Sequence, residues 1–160
     1  MPKSIKPLVC VDSSIVLPLV IEHPLSDAIL HRWQIWKTEN RDFIAPSLLH
    51  YELVNALHRY CSAGFFSQSA ARASLEAALA QPIALYDEDA LHYEASELAA
   101  THNLSASYDA HYLALAQRMR ADFWTADKRL YNSIHEVLTW VHLLQESEAD
   151  CHLPEDALST

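Results

Sequence analysis

The chain has 160 residues, 51% hydrophobic and 20% charged, which suits one domain with a substantial core. No apolar run approaches the ~20 residues that a membrane helix needs, and the single glycine excludes Walker and dinucleotide-binding loops. The net charge of −10 argues against broad affinity for nucleic acid. Its distribution softens that reading. Six acids (Glu136, Glu146, Glu148, Asp150, Glu155 and Asp156) follow the last base, Arg129, whereas residues 1–129 hold 15 acids against 11 bases.

Taken in order, the basic stretch 1–6 and apolar run 8–11 are too short for a signal peptide, with no small-residue cleavage site behind them. The cysteines (Cys10, Cys61 and Cys151) lie far apart with no C-x-x-C pair, which fits a reducing compartment. The expectation is a cytoplasmic protein, with Cys10 and Cys61 as core fillers. Run 8–11 reads as the first buried strand, followed by helices over 14–20 and 26–39. The second helix carries Trp33 and Trp36 and is apolar on more than one face, so it is either deeply buried or presents a tryptophan to a partner.

A second strand is expected over 43–45, then helices over 47–61 and 67–80, with Gly64 placed to end the first of these. A third strand (83–86) leads into helices over 88–101 and 107–120. A fourth (123–125) leads to a helix over 128–132 and a fifth strand over 137–141. Ser47, Ser67 and Asp87 are the clearest start signals. Strands alternating with helices imply an α/β fold with a parallel sheet covered on both faces. The domain is expected over 1–144, with an acidic, solvated tail over 145–160.

Four carboxylates stand out. Asp12 follows the first strand and Asp127 follows the fourth. Ligands of such sheets bind beyond the C-terminal strand ends where the order reverses, although aspartate is also a good helix cap. Glu52 lies mid-helix among Leu48, Leu49, Leu53 and Ala56, where an acid is costly unless something neutralises it. Asp109 heads an apolar stripe through Tyr112, Leu113 and Ala116, and a first-turn acid also suits the helix dipole. Oxygen donors without histidine or cysteine at matching spacing suit Mg²⁺ or Mn²⁺ rather than zinc. Such ions can activate water and stabilise the leaving oxygen of a phosphodiester. Ser14 and Thr125 are placed to bond a carboxylate from the second rank.

These residues form a pattern. The segments Val11-Asp12-Ser13-Ser14, Ala45 to Leu57 around Glu52, Tyr108 to Ala116 around Asp109, and Thr125 to Leu130 around Asp127 resemble the four motifs of the PIN-domain nucleases. The resemblance is strongest to the VapC-type toxins of toxin–antitoxin pairs, and it spans about residues 8–141. It implies a three-layer α/β/α sandwich with sheet order 3-2-1-4-5. It also implies a Mg²⁺- or Mn²⁺-dependent endoribonuclease (a hydrolase) with Asp12, Glu52, Asp109 and Asp127 as metal ligands and catalytic residues. The implied partners are an RNA substrate, a cognate antitoxin and a second copy in a homodimer. The basic residues open to phosphates are few: Arg32, Lys37, Arg41, Arg59, Lys128 and Arg129.

Two other readings use the same residues. A phosphatase with Asp12 as nucleophile leaves Glu52 and Asp109 without a role, and Ser14 stands where such enzymes usually carry a second aspartate. A non-catalytic module could keep the acidic pocket to hold a partner's basic segment. The ten histidines show no H-E-x-x-H or similar spacing and read as surface or packing residues.

Overall fold

The computed structural model describes residues 7–146. Within that span the short β-branched runs form strands β1 (Leu8–Val11), β2 (Asp42–Pro46), β3 (Ile83–Tyr86), β4 (Asp122–Thr125) and β5 (Val141–Leu143). All pairings are parallel and the order is β3-β2-β1-β4-β5. This is the expected α/β sandwich, and it sets β1 beside β4 with Cys10 opposite Phe123. The connections are helices α1 (Ser13–Val16), α2 (Ser26–Thr38), α3 (Leu48–Ser62), α4 (Gln68–Leu79), α5 (Asp89–Thr101), α6 (Ser107–Met119) and α7 (Lys128–Ile134).

Side-chain alternation along the strands assigns the two covering layers. On one face, Trp33 and Trp36 of α2 pack on Phe43 and Trp124. Trp33 stacks on Phe43 at 4.0 Å, and Trp36 meets Trp124 edge-on at 5.3 Å. On the other face, Tyr112 of α6 stacks on Phe123 at 5.9 Å, and Cys10 Sγ reaches the Tyr112 carbonyl at 3.7 Å. Both tryptophans are only 2% exposed. The idea that either one faces a partner is therefore corrected: both lie on the buried face of α2 with Ala28 and Ile29, while its other face is open to solvent, Leu30 included. Cys10 is fully buried, Cys61 is half-buried against the core, and Cys151 lies outside the described residues.

Three local expectations need correction. The helix expected over 14–20 ends at Val16 and tightens into a 3-10 turn at Leu17–Leu19, because Pro18 has no N–H to continue the α ladder. The fifth strand begins at Val141, not 137. The Val137 and Leu138 amides both return to the Ile134 carbonyl as a turn. Leu138 is buried as its anchor, while Val137 is 69% exposed. Of the start signals, Ser67 caps α4 through the Ala70 amide, but neither Ser47 nor Asp87 caps a helix with its side chain.

Helix ends are better served than one glycine suggests. Gly64 takes φ 78°, and Asn40, Asn103 and Arg120 also adopt left-handed conformations, with φ 56°, 50° and 53°. After Gly64, for example, the Phe65 amide returns to the Tyr60 carbonyl at 2.9 Å, which closes a Schellman stop. The Leu144 amide bonds the Thr125 carbonyl at 2.9 Å, so the chain is held to the sheet at the outer limit expected for the domain. Residues 1–6 and 147–160, including most of the expected acidic tail, lie outside the described residues. Among the described residues no helix is long and apolar enough to cross a membrane.

Candidate active site

Parallel strands direct their C-terminal ends to one edge of the sheet, and the residues leaving β1 and β4 meet there. Asp12 caps α1, its Oδ1 accepting the Ser14 amide at 3.0 Å. The same oxygen accepts the Ser14 hydroxyl at 2.5 Å, while Thr125 Oγ1 donates to Oδ2 at 2.5 Å. These hydroxyls also tie the two strands together. Ser14 Oγ accepts the Ala126 amide at 2.8 Å, and Thr125 Oγ1 accepts the Asp127 amide at 3.0 Å. Thr125 thus bridges Asp12 to the backbone of Asp127.

Asp127 caps α7, its Oδ1 receiving the amides of Arg129 at 2.8 Å and Leu130 at 3.1 Å. The capping role and the site position therefore coincide at both aspartates; neither role excludes the other. A capping carboxylate still has lone pairs to offer, since each oxygen carries two.

Glu52 extends from the middle of α3 and accepts the Tyr112 hydroxyl at 3.1 Å on Oε2. The hydroxyl and amide of Ser13 also donate to it. Asp109, in the first turn of α6, is half-buried and shares a surface cavity with Arg129.

Electrostatics link the four in series. Burial is the largest cause of the rise at Asp12, which is pushed from 3.8 up to about 7. The hydroxyls of Ser14 and Thr125 oppose that rise, and the charge of Glu52 adds to it. Burial likewise raises Glu52, with Asp109 contributing, and raises Asp109, with Asp127 contributing and Arg129 opposing. Each acid thus senses the next, and burial makes each of the first three costly to ionise.

That arrangement suits a hard divalent cation, which would offset both burial and mutual repulsion. The side chains are not already closed around one. Among the described residues, no group of three or more His, Cys, Asp or Glu has the geometry to hold a metal. Asp12 and Asp127 are engaged by local donors, and Glu52 is held by Tyr112 and Ser13.

In the sequence Tyr112 belongs to an apolar stripe and Ser13 carries no signal of a role. The ring of Tyr112 does pack in the core, but its hydroxyl reaches a carboxylate far away in sequence. An OH on an otherwise apolar stripe was the available signal, since a buried phenol normally finds a partner.

A PIN-domain family model matches residues 9–133. No curated protein matches the chain. Among solved structures, the VapBC2 structure from Rickettsia felis, bound to a DNA fragment from its promoter, aligns with TM-score 0.63 at 12% identity, covering 86% of this chain and 99% of that one. VapC20 of Mycobacterium tuberculosis, described as a Sarcin-Ricin loop cleaving toxin, aligns with TM-score 0.61 at 16% identity, covering 79% and 95%. PAE2754 of Pyrobaculum aerophilum aligns with TM-score 0.59 at 24% identity, covering 81% and 87%. These likenesses extend over nearly the whole described fold, and the match to the family model takes in all four site segments. The chain belongs to the PIN-domain family.

Proposed function

We propose that the protein is a divalent-metal-dependent endoribonuclease acting as the toxin of a toxin–antitoxin pair. The observation that carries this reading is the series of coupled acids, Asp12, Glu52, Asp109 and Asp127, at the C-terminal edge of a PIN-domain sheet. Support for the toxin role comes from structural neighbours that include a VapBC structure and a toxin described as cleaving the Sarcin-Ricin loop. The reading includes a homodimer and an antitoxin that binds the acidic edge.

The four carboxylates would hold Mg²⁺ or Mn²⁺, with Asp12 and Asp127 nearest. The ion would supply a polarised phosphate and an activated water. The chain's own residues then have distinct duties. Ser14 and Thr125 fix both oxygens of Asp12, so that its orientation is set before a ligand arrives. Tyr112 and Ser13 hold Glu52 toward the same edge. Asp127 keeps α7 anchored, which places Arg129 beside Asp109 where it can meet a phosphate.

A second reading has one observation in its favour. The mutual charge of the acids that suits a cation also suits a non-catalytic acidic pocket that seizes a basic segment. The deciding experiment is incubation of single-stranded RNA with purified protein in Mg²⁺, in Mn²⁺ and in EDTA, beside Asp12→Asn. Metal-dependent cleavage that disappears in the variant supports the nuclease. Cleavage that survives in EDTA or in the variant contradicts it, and intact RNA under every condition favours the binding module.

A further inference from the structure

A second cavity opens on the same edge of the sheet, beyond the ends of β2 and β3. Its wall includes Tyr51, Tyr86, Asp87, His92, Tyr108 and His111. Tyr51 directly precedes Glu52 on α3, and Tyr108 directly precedes Asp109 on α6, so the helices that carry two site acids also carry two of this cavity's rings. Tyr51 is 74% exposed and Tyr108 63% exposed. These rings contribute little to the core.

The histidines form an ordered chain of hydrogen bonds. His111 Nδ1 lies 2.7 Å from the Ser107 carbonyl, and a carbonyl only accepts, so Nδ1 carries the proton. In the neutral ring His111 Nε2 is then an acceptor, and His92 Nδ1 donates to it at 2.9 Å. His92 Nε2 lies 3.9 Å from Asp87 Oδ1. The cavity therefore combines exposed aromatic faces with a polar wall in which the Asp87 carboxylate is an acceptor.

We propose that this cavity binds an unpaired nucleobase of the RNA substrate, next to the phosphodiester held at the carboxylates. The proposal rests on the ribonuclease reading and specifies where that substrate is gripped. Single-stranded RNA is recognised by stacking its bases on aromatic rings and by bonding their free edges. Each natural base has an edge N–H that the Asp87 carboxylate can take. Stacking also answers a difficulty of charge. Residues 1–129 hold 15 acids against 11 lysines and arginines, so few cations are available for phosphate contacts, whereas a ring grips a base without any cation.

The test measures the affinity of the wild type, Tyr51→Ala, Tyr108→Ala, Tyr51→Phe and Tyr108→Phe for a cleavable single-stranded oligoribonucleotide in Ca²⁺. It includes a set of oligonucleotides with one abasic site at each position around the scissile bond. Each alanine variant should bind about tenfold more weakly, whereas the phenylalanine variants should stay near wild type. One abasic position should weaken the wild type to a similar degree, with no further loss in the alanine variants. Wild-type cleavage of RNA together with unchanged affinity in the alanine variants would overturn this proposal alone. A wild type that neither binds nor cuts RNA would overturn the ribonuclease reading along with it. If the alanine substitutions change the protein's mass in solution, the cavity is a contact between copies and the base-binding proposal is wrong.

Discussion

The Tyr112 hydroxyl donates to Glu52 Oε2 at 3.1 Å, joining residues 60 positions apart in the chain. This bond fixes the one site acid that lies in the middle of a helix. Tyr112 is itself immobilised by its stack on Phe123, so the sheet, α6 and α3 are in register through a single side chain.

Removing that bond with Tyr112→Phe keeps the ring and the stack. A hydrogen bond to a charged acceptor is worth about 1.5–3 kcal/mol, and Ser13 still serves Glu52. Chemical denaturation at neutral pH should show a loss of about 1–2 kcal/mol, with divalent-ion affinity also reduced. Unchanged stability would mean that the bond contributes nothing in solution.

Thr125→Val removes both links that Thr125 makes between Asp12 and Asp127. The buried Asp12 oxygen and the Asp127 amide would each lose a partner, at a cost of roughly 1–3 kcal/mol. Because the Thr125 bond lowers the Asp12 carboxyl, the variant should titrate above the wild-type value of about 7. Carbon-detected NMR of the Asp12 carboxyl reads this directly; a shift downward would contradict the assigned role.

Metal-free stability should depend on pH with a definite sign. Burial raises Asp12 from 3.8 to about 7, so the folded chain retains a proton that the unfolded chain releases. Below pH 3.8 both states are protonated and the contribution is fully present. Between there and about pH 7 the unfolded state gains by ionising and stability falls. The loss at pH 8 is at most about 4 kcal/mol from this group. Glu52 and Asp109 are also raised and act in the same direction. Urea denaturation in EDTA at pH 5 and pH 8 should show the fall, and Asp12→Asn should reduce it and be the more stable protein at pH 8. An equally steep fall in that variant would contradict the burial argument.

Arg120 ends α6 with φ 53°, a conformation that costs a residue with a Cβ about 1–2 kcal/mol. Its amide and that of Ala121 bond the carbonyls of Gln117 and Ala116 at 3.3 and 2.9 Å, so glycine would preserve the stop. Arg120→Gly should therefore stabilise the protein by about 1 kcal/mol, seen as a higher denaturation midpoint. A lower midpoint would show that the arginine side chain outweighs its backbone strain.

Much of the architecture was legible because the strands are short, apolar runs set between longer helical patterns. Val137 and Leu138 look like strand residues, yet Leu138 anchors a turn and only Val141 onward pairs with β4. Trp33 and Trp36 could not be assigned from an all-round apolar helix until Phe43 and Trp124 were found against them. At the candidate site, Glu52 stands out because an acid conflicts with the apolar residues beside it, and its carboxylate is bonded by Tyr112 and Ser13. The hydroxyl network of Ser13, Ser14, Thr125 and Tyr112 was only partly visible, because those bonds join distant segments. The His92–His111 pair was hidden for the same reason, its members being 19 residues apart on different helices.

A metal site built from the four carboxylates is tested by calorimetric titration of Mn²⁺ into the purified protein near pH 7, with Asp12→Asn, Glu52→Gln, Asp109→Asn and Asp127→Asn in parallel. Asparagine preserves the caps at Asp12 and Asp127, so loss of binding would report the missing charge. The wild type should bind Mn²⁺, every substitution should weaken binding, and binding should release protons because Asp12 is partly protonated at this pH. Absence of wild-type binding, or affinity unchanged across the four variants, would contradict a metal site built from these carboxylates.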